Sequence, residues 1–381
     1  MTVLLNCLSS RSGGALSYLR NVTPLLADEL RTLGVGLTLL ASRSQAGLFP
    51  ASLDVRWVEP APPDLSGVRR YLWETSNVPG IVQRGGYRVL FTPYQIGPRA
   101  PGARRVAMVR NMEPFFHGQY PYTLEARLRN RLLYSSTRRY LAQADHVIAV
   151  SNFARQTAQA HIGIPDARIS TIYHGRDQTF CAQPGTDDRQ TLEGLHVDRP
   201  CVFSCGSLLP YRRVEDVIDA FHTFHAEVAP DSLLVIAGTG SDRQYVKRVM
   251  QRIAGSPVRG SILYLGQVPP AAMRVLYRRS RVFVMATEIE ACPNIAIEAL
   301  SSGCAVLAAD TAVSREMFGD AADYYERRAV PELASHLRSL WQGESRQAGL
   351  RHAALVRAEN FSWEACARST AALLASEARR A

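Results

Sequence analysis

Short apolar runs alternate along the chain with longer stretches of helical periodicity. Runs at 2–8, 35–41, 55–59, 89–92, 106–110, 146–150 and 169–173 predict strands, being short, apolar and rich in Val, Ile and Leu. Between them, 16–33 and 124–142 carry apolar residues at three- and four-residue spacing, which predicts helices. A polar stretch follows from Gln178 to Asp198, with Pro184-Gly185-Thr186-Asp187-Asp188 near its start, and reads as a linker. The alternation then restarts, with strands expected at 201–205, 233–237, 261–265, 282–285 and 305–309 and a helix at 214–228. A βαβ rhythm implies a parallel sheet covered by helices on both faces. Two successive doubly wound, Rossmann-like α/β units are therefore expected, with a ligand cleft where the C-terminal ends of their strands face each other. The boundaries drawn are 1–182, a linker at 183–198, and 199–360. A last helix near 361–381 has no strand to follow it and is expected to pack back on the first unit.

Composition narrows the function classes. The 381 residues are 46% hydrophobic and 20% charged, enough apolar material for sizeable cores and too much for general disorder. No apolar stretch reaches the ~18 residues needed to cross a bilayer. The N-terminus lacks a basic lead before its apolar run, and Ser9-Ser10-Arg11 ends that run early, so it reads as a strand and not a signal peptide. Seven scattered cysteines without a CxxC pair or zinc spacing fit a reduced, cytoplasmic setting. Net charge is +10, and Lys247 is the single lysine, so arginine supplies nearly all the positive charge. The balance points to an anionic partner. The 127–140 segment joins Arg127, Arg129, Arg131, Arg138 and Arg139 to Leu128, Leu132, Leu133, Tyr134 and Tyr140. It fits either a solvated helix with one buried stripe or a helix that rests on an anionic membrane surface.

The run Thr287-Glu288-Ile289-Glu290-Ala291-Cys292-Pro293-Asn294-Ile295-Ala296-Ile297-Glu298-Ala299-Leu300-Ser301-Ser302-Gly303 carries most of the chemistry. It follows an apolar strand. Pro293 suits a helix start and Gly303 the residue just past its end. The amides of Asn294 and Ile295 would then be unpaired at a helix N-terminus, a ready anion site. Glu290 falls on the loop before the helix and Glu298 about one turn inside it, so the two can grip different parts of one elongated ligand.

This Glu-x7-Glu pattern after a strand resembles the retaining family-4 glycosyltransferases of GT-B architecture. Further segments match in order: Gly206-Ser207-Leu208-Leu209-Pro210-Tyr211-Arg212-Arg213, Gly238-Thr239-Gly240, Ala149-Val150-Ser151-Asn152-Phe153, His174-Gly175-Arg176-Asp177, and Gly13-Gly14 after the first strand. The resemblance implies that the C-terminal unit binds a nucleotide-diphosphate sugar. It gives Glu298 the ribose hydroxyls and Glu290 the hydroxyls of the donor sugar. It sets the amides of Cys292, Asn294 and Ile295 against sugar and diphosphate, and makes Arg212 the cation that neutralises the leaving group. Catalysis is expected from Glu290 and Arg212. Donor binding is expected from these with Gly14, Ser207, Arg213, Gly238, Cys292, Asn294, Ile295 and Glu298. Gly13, Arg110, Asn111, Glu113 and His117 are expected on the acceptor side. Where the family commonly has Lys, a basic residue and a His-Asp pair, this chain has Arg212, Ser207 and Arg110-Asn111. Gly13-Gly14 and Gly238-Thr239-Gly240 are equally readable as plain turns.

The function expected is retaining transfer of a sugar to a hydroxyl of a glycan or lipid-linked acceptor, in cell-surface polysaccharide synthesis, at or near the inner face of the membrane. No Asp-x-Asp triplet occurs, so neither a metal nor any cofactor beyond the nucleotide-sugar substrate is expected. A GT-B epimerase or phosphorylase is the second enzyme reading. A basic nucleic-acid-binding protein is the third; the arginines are dispersed and lack interleaved stacking aromatics, so no nucleic-acid partner is expected.

Overall fold

In the computed structural model, which describes residues 1–11 and 13–381, the chain forms two compact units, each built on one parallel sheet. The first comprises 1–115, 131–175 and 362–381; the second comprises 116–130 and 176–361.

The sheet of the first unit contains β1 (Thr2–Asn6), β2 (Gly36–Leu40), β3 (Arg56–Trp57), β4 (Val89–Thr92), β5 (Arg104–Val109), β6 (His146–Ala149) and β7 (Ile169–Thr171). Their order across the sheet is β3-β2-β1-β4-β5-β6-β7. Val3, Leu4, Leu5, Val89, Leu90 and Phe91 are fully buried, as both covered faces of a parallel sheet require. The second sheet contains β8 (Cys201–Cys205), β9 (Leu233–Ala237), β10 (Ile262–Gly266), β11 (Val282–Met285), β12 (Val306–Ala309) and β13 (Ala322–Tyr325), ordered β10-β9-β8-β11-β12-β13. Each order reverses direction beside its first strand. In a doubly wound sheet that reversal opens a crevice at the strand C-termini, where ligands bind.

Helix Val214–Glu227 packs against helix Val330–Gln342 in the second unit. Val217, Phe221 and Phe224 share a buried cluster with Leu333 and Leu337. Each such side chain contributes about 1.5–3 kcal/mol by leaving water.

Two boundaries differ from the sequence reading, and the placing of the last helix agrees with it. Residues 116–130 group with the second unit, because Tyr120 and Tyr122 pack with Tyr211 and Ile289 there, so the first unit is not continuous to 182. The polar stretch at 183–198 is not a bare linker: it holds a helix, Asp188–Gly194, and the buried carboxylate of Asp188 takes a fork from Arg278. Helix Trp363–Arg380 belongs to the first unit and lies along helix Gly13–Thr32. There the His174 ring sits 5.3 Å from Tyr18 and 5.6 Å from Trp363, and Arg104 pairs with the buried Glu377.

Candidate active site

The second sheet reverses between β8 and β11, and the loops leaving those two strands bring the expected site residues together. From β8 the chain turns at Gly206 and reaches Arg212 through a short 3₁₀ turn, Pro210–Arg212. From β11 it passes Thr287 and Glu290 and enters helix Asn294–Ser301, with Pro293 as the residue that caps it. Arg212 pairs with Glu290 across this junction, and its other terminal nitrogen donates to Thr287 Oγ1 at 3.3 Å. Both side chains are largely buried. Burial opposes the Arg212 charge most strongly, but Glu290 together with Tyr211, Cys205 and Tyr277 outweighs it and holds the guanidinium more firmly protonated than usual. Among the described residues no hydrogen-bond acceptor reaches Arg212 Nε, which is shielded from solvent.

Two glycine turns make this possible. Gly206 and Gly238 end β8 and β9 with φ of +127° and +134°. A Cβ on Gly238 would collide with the carbonyl of Gly206. Leu208 N then donates to Thr239 O at 2.9 Å, so the loop carrying Arg212 rests directly on 238–240. Gly238 therefore has a demonstrable packing role, whatever its part in donor binding.

Glu298 lies one turn inside the helix, as the spacing implied. Tyr277, from helix Pro270–Arg279, donates from its hydroxyl to Glu298 Oε2 at 3.0 Å, and that hydroxyl also lies 3.0 Å from Cys205 Sγ. Burial raises the Glu298 pKa to about 7, against the lowering effect of the Tyr277 hydrogen bond. Tyr277 itself is fully buried among Phe180, Phe203 and Phe283. No motif singles it out in the sequence, because it reads there as one more apolar helix position. Cys292 is buried, whereas Asn294 and Ile295 are half-buried at the helix start; the helix supplies no partner for its first amides.

Glu288 anchors the loop. Its amide donates to Tyr211 O at 2.9 Å, and its carboxylate takes a two-pronged contact from Arg328 at 2.6 and 2.8 Å. Burial would raise its pKa, yet the Arg328 fork and the Tyr120 hydroxyl hold it below the usual value. Arg213 follows Arg212 in sequence but is directed elsewhere. It adopts a left-handed φ of +51° and forks onto Asp216 at 2.6 and 2.9 Å. Ser207 is exposed on the Arg212 loop.

The residues expected on the acceptor side are spread over both units. Gly13 opens helix Gly13–Thr32 with φ +53°, followed by a half-buried Gly14. The Arg110 guanidinium lies 5.5 Å from the Tyr18 ring centre. Buried Gln95, unremarked in the sequence, accepts from the Asn111 amide at 2.9 Å and donates to the Asn111 carbonyl at 3.0 Å. Glu113 N donates to Asn111 Oδ1 at 3.0 Å, which fixes the turn after β5. His117 is half-buried in the segment that belongs to the second unit.

Two family models match the chain. Residues 188–356 match glycosyl transferases group 1, and residues 19–180 match glycosyltransferase family 4. The O-antigen chain mannosyltransferase B of Escherichia coli is 23% identical over 244 residues, which cover 64% of this chain and 63% of that protein. Among solved structures, a glycosyltransferase from Rickettsia africae ESF-5 superposes with a TM-score of 0.73 at 18% identity, covering 100% of this chain and 99% of that one. HepE of Anabaena, solved in complex with UDP-glucose, gives 0.74 at 17% identity, with 99% of each chain covered. At these identities the structural likeness is one of fold.

Proposed function

The chain belongs to the glycosyltransferases of GT-B fold and family-4 type, and we propose that it moves a sugar, with retention at the anomeric carbon, from a nucleoside-diphosphate donor to an acceptor hydroxyl. The observation that carries this reading is the Arg212–Glu290 pair at the sheet's switch point, beside a helix that carries Glu298 one turn in. A diphosphate competes with Glu290 for Arg212, whose Nε has a hydrogen bond to give. Glu290, so released, accepts hydroxyls of the sugar, while Glu298 accepts those of the ribose. As the glycosidic bond breaks, negative charge gathers on the leaving diphosphate. Arg212 and the amides of the helix start stabilise that charge more in the transition state than in the ground state.

The leaving phosphate takes the acceptor proton on the same face of the sugar, so no protein nucleophile is assigned. We assign the balancing charge to Arg212 and the helix start with no metal, and EDTA is expected to leave turnover unchanged. Thermal-shift screening over nucleoside-diphosphate sugars identifies the donor, since a ligand at 100 times its Kd adds about 2.7 kcal/mol. NMR of the product then reads the linkage; an inverted anomer overturns retention. The epimerase and phosphorylase alternatives predict turnover of the donor without an acceptor hydroxyl, or phosphate dependence, and no observation favours them.

For the acceptor we propose a cell-surface glycan or its lipid-linked precursor, supported by the likeness to an O-antigen mannosyltransferase. We further propose that the enzyme works at an anionic membrane surface through helix Leu124–Ala142. Among the described residues no helix is long and apolar enough to cross a membrane. On this helix, however, Leu124, Leu128 and Leu132 are 83, 59 and 62% exposed at four-residue spacing, and exposed Arg127, Arg131 and Arg138 flank them. Flotation with anionic vesicles, and failure to float with neutral ones, is the expected result. Equal flotation with both, or none, overturns the membrane reading.

A further inference from the structure

Within the first unit, a groove of about 530 Å³ runs between helix Gly67–Gly85 and residues 131–142 of helix Leu124–Ala142. Arg99, Arg105 and Arg139 line it, and no aspartate or glutamate does. Three guanidinium groups in one concave, acid-free site attract an anion. The hydroxyls of Tyr71, Ser135 and Ser136 add donors beside them, whereas Thr75 Oγ1 donates to the Tyr71 carbonyl at 2.9 Å. The floor is fixed: Tyr140 Oη donates to Thr92 Oγ1 at 3.2 Å, and a Cβ on Gly97 would come within 2.5 Å of that Oη. The Arg105 guanidinium stands 6.0 Å from the Tyr140 ring centre and donates to the Gln143 carbonyl, so it is held from below.

The walls say what kind of anion fits. On one helix Leu132, Ser135 and Arg139 follow at steps of three and four, which places them on a single face. On the other, Val68, Tyr71, Thr75 and Pro79 do the same at steps of three, four and four. Each wall thus begins with an exposed apolar side chain and passes to hydroxyl-bearing residues. Val68 is 73% exposed, and its neighbour Leu72 is 58% exposed. A small free anion has no use for apolar lips, and a nucleic acid would need stacking faces along its path. A phosphodiester headgroup with acyl chains leaving between the leucines uses every feature.

We propose that this groove binds the headgroup of an anionic phospholipid, so that the membrane is held by a specific pocket as well as by the leucine stripe. The inference deepens the membrane reading above and rests on it for its biological setting. Arg99 and Arg139 would bracket the phosphate, with Arg105 and the serine hydroxyls beneath, while Val68, Leu72 and Leu132 meet the acyl region.

The test uses the full chain and two lipid formats. Calorimetry with monomeric dihexanoyl-phosphatidylglycerol is expected to show saturable binding, with dihexanoyl-phosphatidylcholine and inorganic phosphate showing none. The Arg99→Gln/Arg139→Gln variant, both positions being exposed, is expected to bind the anionic lipid about thirtyfold more weakly. It should keep the wild-type melting temperature and the wild-type affinity for nucleoside diphosphate. An Arg127→Gln/Arg131→Gln control, outside the groove, is expected to keep wild-type affinity for the monomeric lipid while floating less well on anionic vesicles. Inorganic phosphate binding as tightly as the lipid, or a groove variant that binds the lipid like wild type, overturns the groove. If wild type floats on anionic vesicles and the groove variant floats equally, the groove falls and the membrane reading stands. If wild type binds the monomeric lipid yet does not float, the groove stands and the membrane reading falls.

Discussion

The Tyr277 hydroxyl donates to Glu298 Oε2 at 3.0 Å from the interior of an aromatic cluster, fixing a carboxylate that burial would otherwise neutralise near pH 7. Tyr277→Phe keeps the ring packing and removes the bond. A hydrogen bond to a charged group is worth about 1.5–3 kcal/mol. At pH 7.5 the variant is expected to bind nucleoside diphosphate roughly tenfold more weakly, with the midpoint of the binding–pH profile moved upward. By pH 9, where Glu298 is ionised in both proteins, the gap should narrow. Calorimetry across pH 6–9 measures it; a pH-independent loss would mean the hydroxyl serves only packing.

The same burial makes Glu298 costly to the fold. Its folded pKa of about 7 lies above the ordinary glutamate value of 4.5. The folded state therefore holds its proton longer than the unfolded one, and stability present below pH 4.5 is lost as pH rises through 7. Glu298→Gln removes the ionisation. It is expected to raise the melting temperature at pH 8, to leave it unchanged near pH 4.5, and to weaken donor binding at both. Thermal melts at the two pH values decide it; an equal gain at both would place the cause in packing.

Arg212 and Glu290 are expected to separate kinetically. Arg212→Ala leaves a largely buried Glu290 without its cation and removes the charge facing the diphosphate. A kcat loss of about 10²–10³ is expected, by analogy with deletion of a single transition-state donor. Arg212→Lys keeps the charge but loses the fork, and should fall between. Glu290→Gln should leave free nucleoside diphosphate bound as tightly as before, or more tightly, while affinity for the sugar-bearing donor drops. Steady-state kinetics and calorimetry with the two ligands distinguish these effects.

Gly238→Ala tests the packing of the two turns. The added methyl would meet the Gly206 carbonyl at a φ of +134°, which L-residues avoid. The expected cost is about 2–3 kcal/mol. For a unit of this size that lowers the melting temperature by roughly 5–10 °C. Scanning calorimetry that finds no change would show that the β8 and β9 turns can part without penalty.

Much of this was legible because parallel sheets advertise themselves. The runs at Cys201–Cys205 and Val282–Met285 are apolar on both faces, and the order of elements fixed the crevice beside them. The start of helix Asn294–Ser301 was legible from Pro293, and its end from Gly303, which adopts φ +63°. Long-range partnerships were not. Nothing local in Tyr277 marks it as the support of Glu298, 21 positions on, since helix periodicity reports only that a face is buried. Arg213 repeats the charge of Arg212, but its left-handed backbone turns it onto Asp216. Residues 116–130 include the first turns of helix Leu124–Ala142, whose remainder belongs to the first unit, yet group with the second, a matter of where Tyr120 and Tyr122 find aromatic neighbours. The helix at 188–194 was hidden by polar residues whose one buried member, Asp188, is matched by an arginine 90 positions away.

Helix Trp363–Arg380 lies along helix Gly13–Thr32, so two of the most distant stretches of the chain share one core. During synthesis, a nascent chain emerging from the ribosome can complete its second unit first. The first must wait with Tyr18, the ring neighbour of Trp363, uncovered until residues 362–381 arrive. Translation that halts before them would release a half-closed domain with a greasy flank, a substrate for chaperones and proteases. Quality control therefore has a natural checkpoint at residues 362–381.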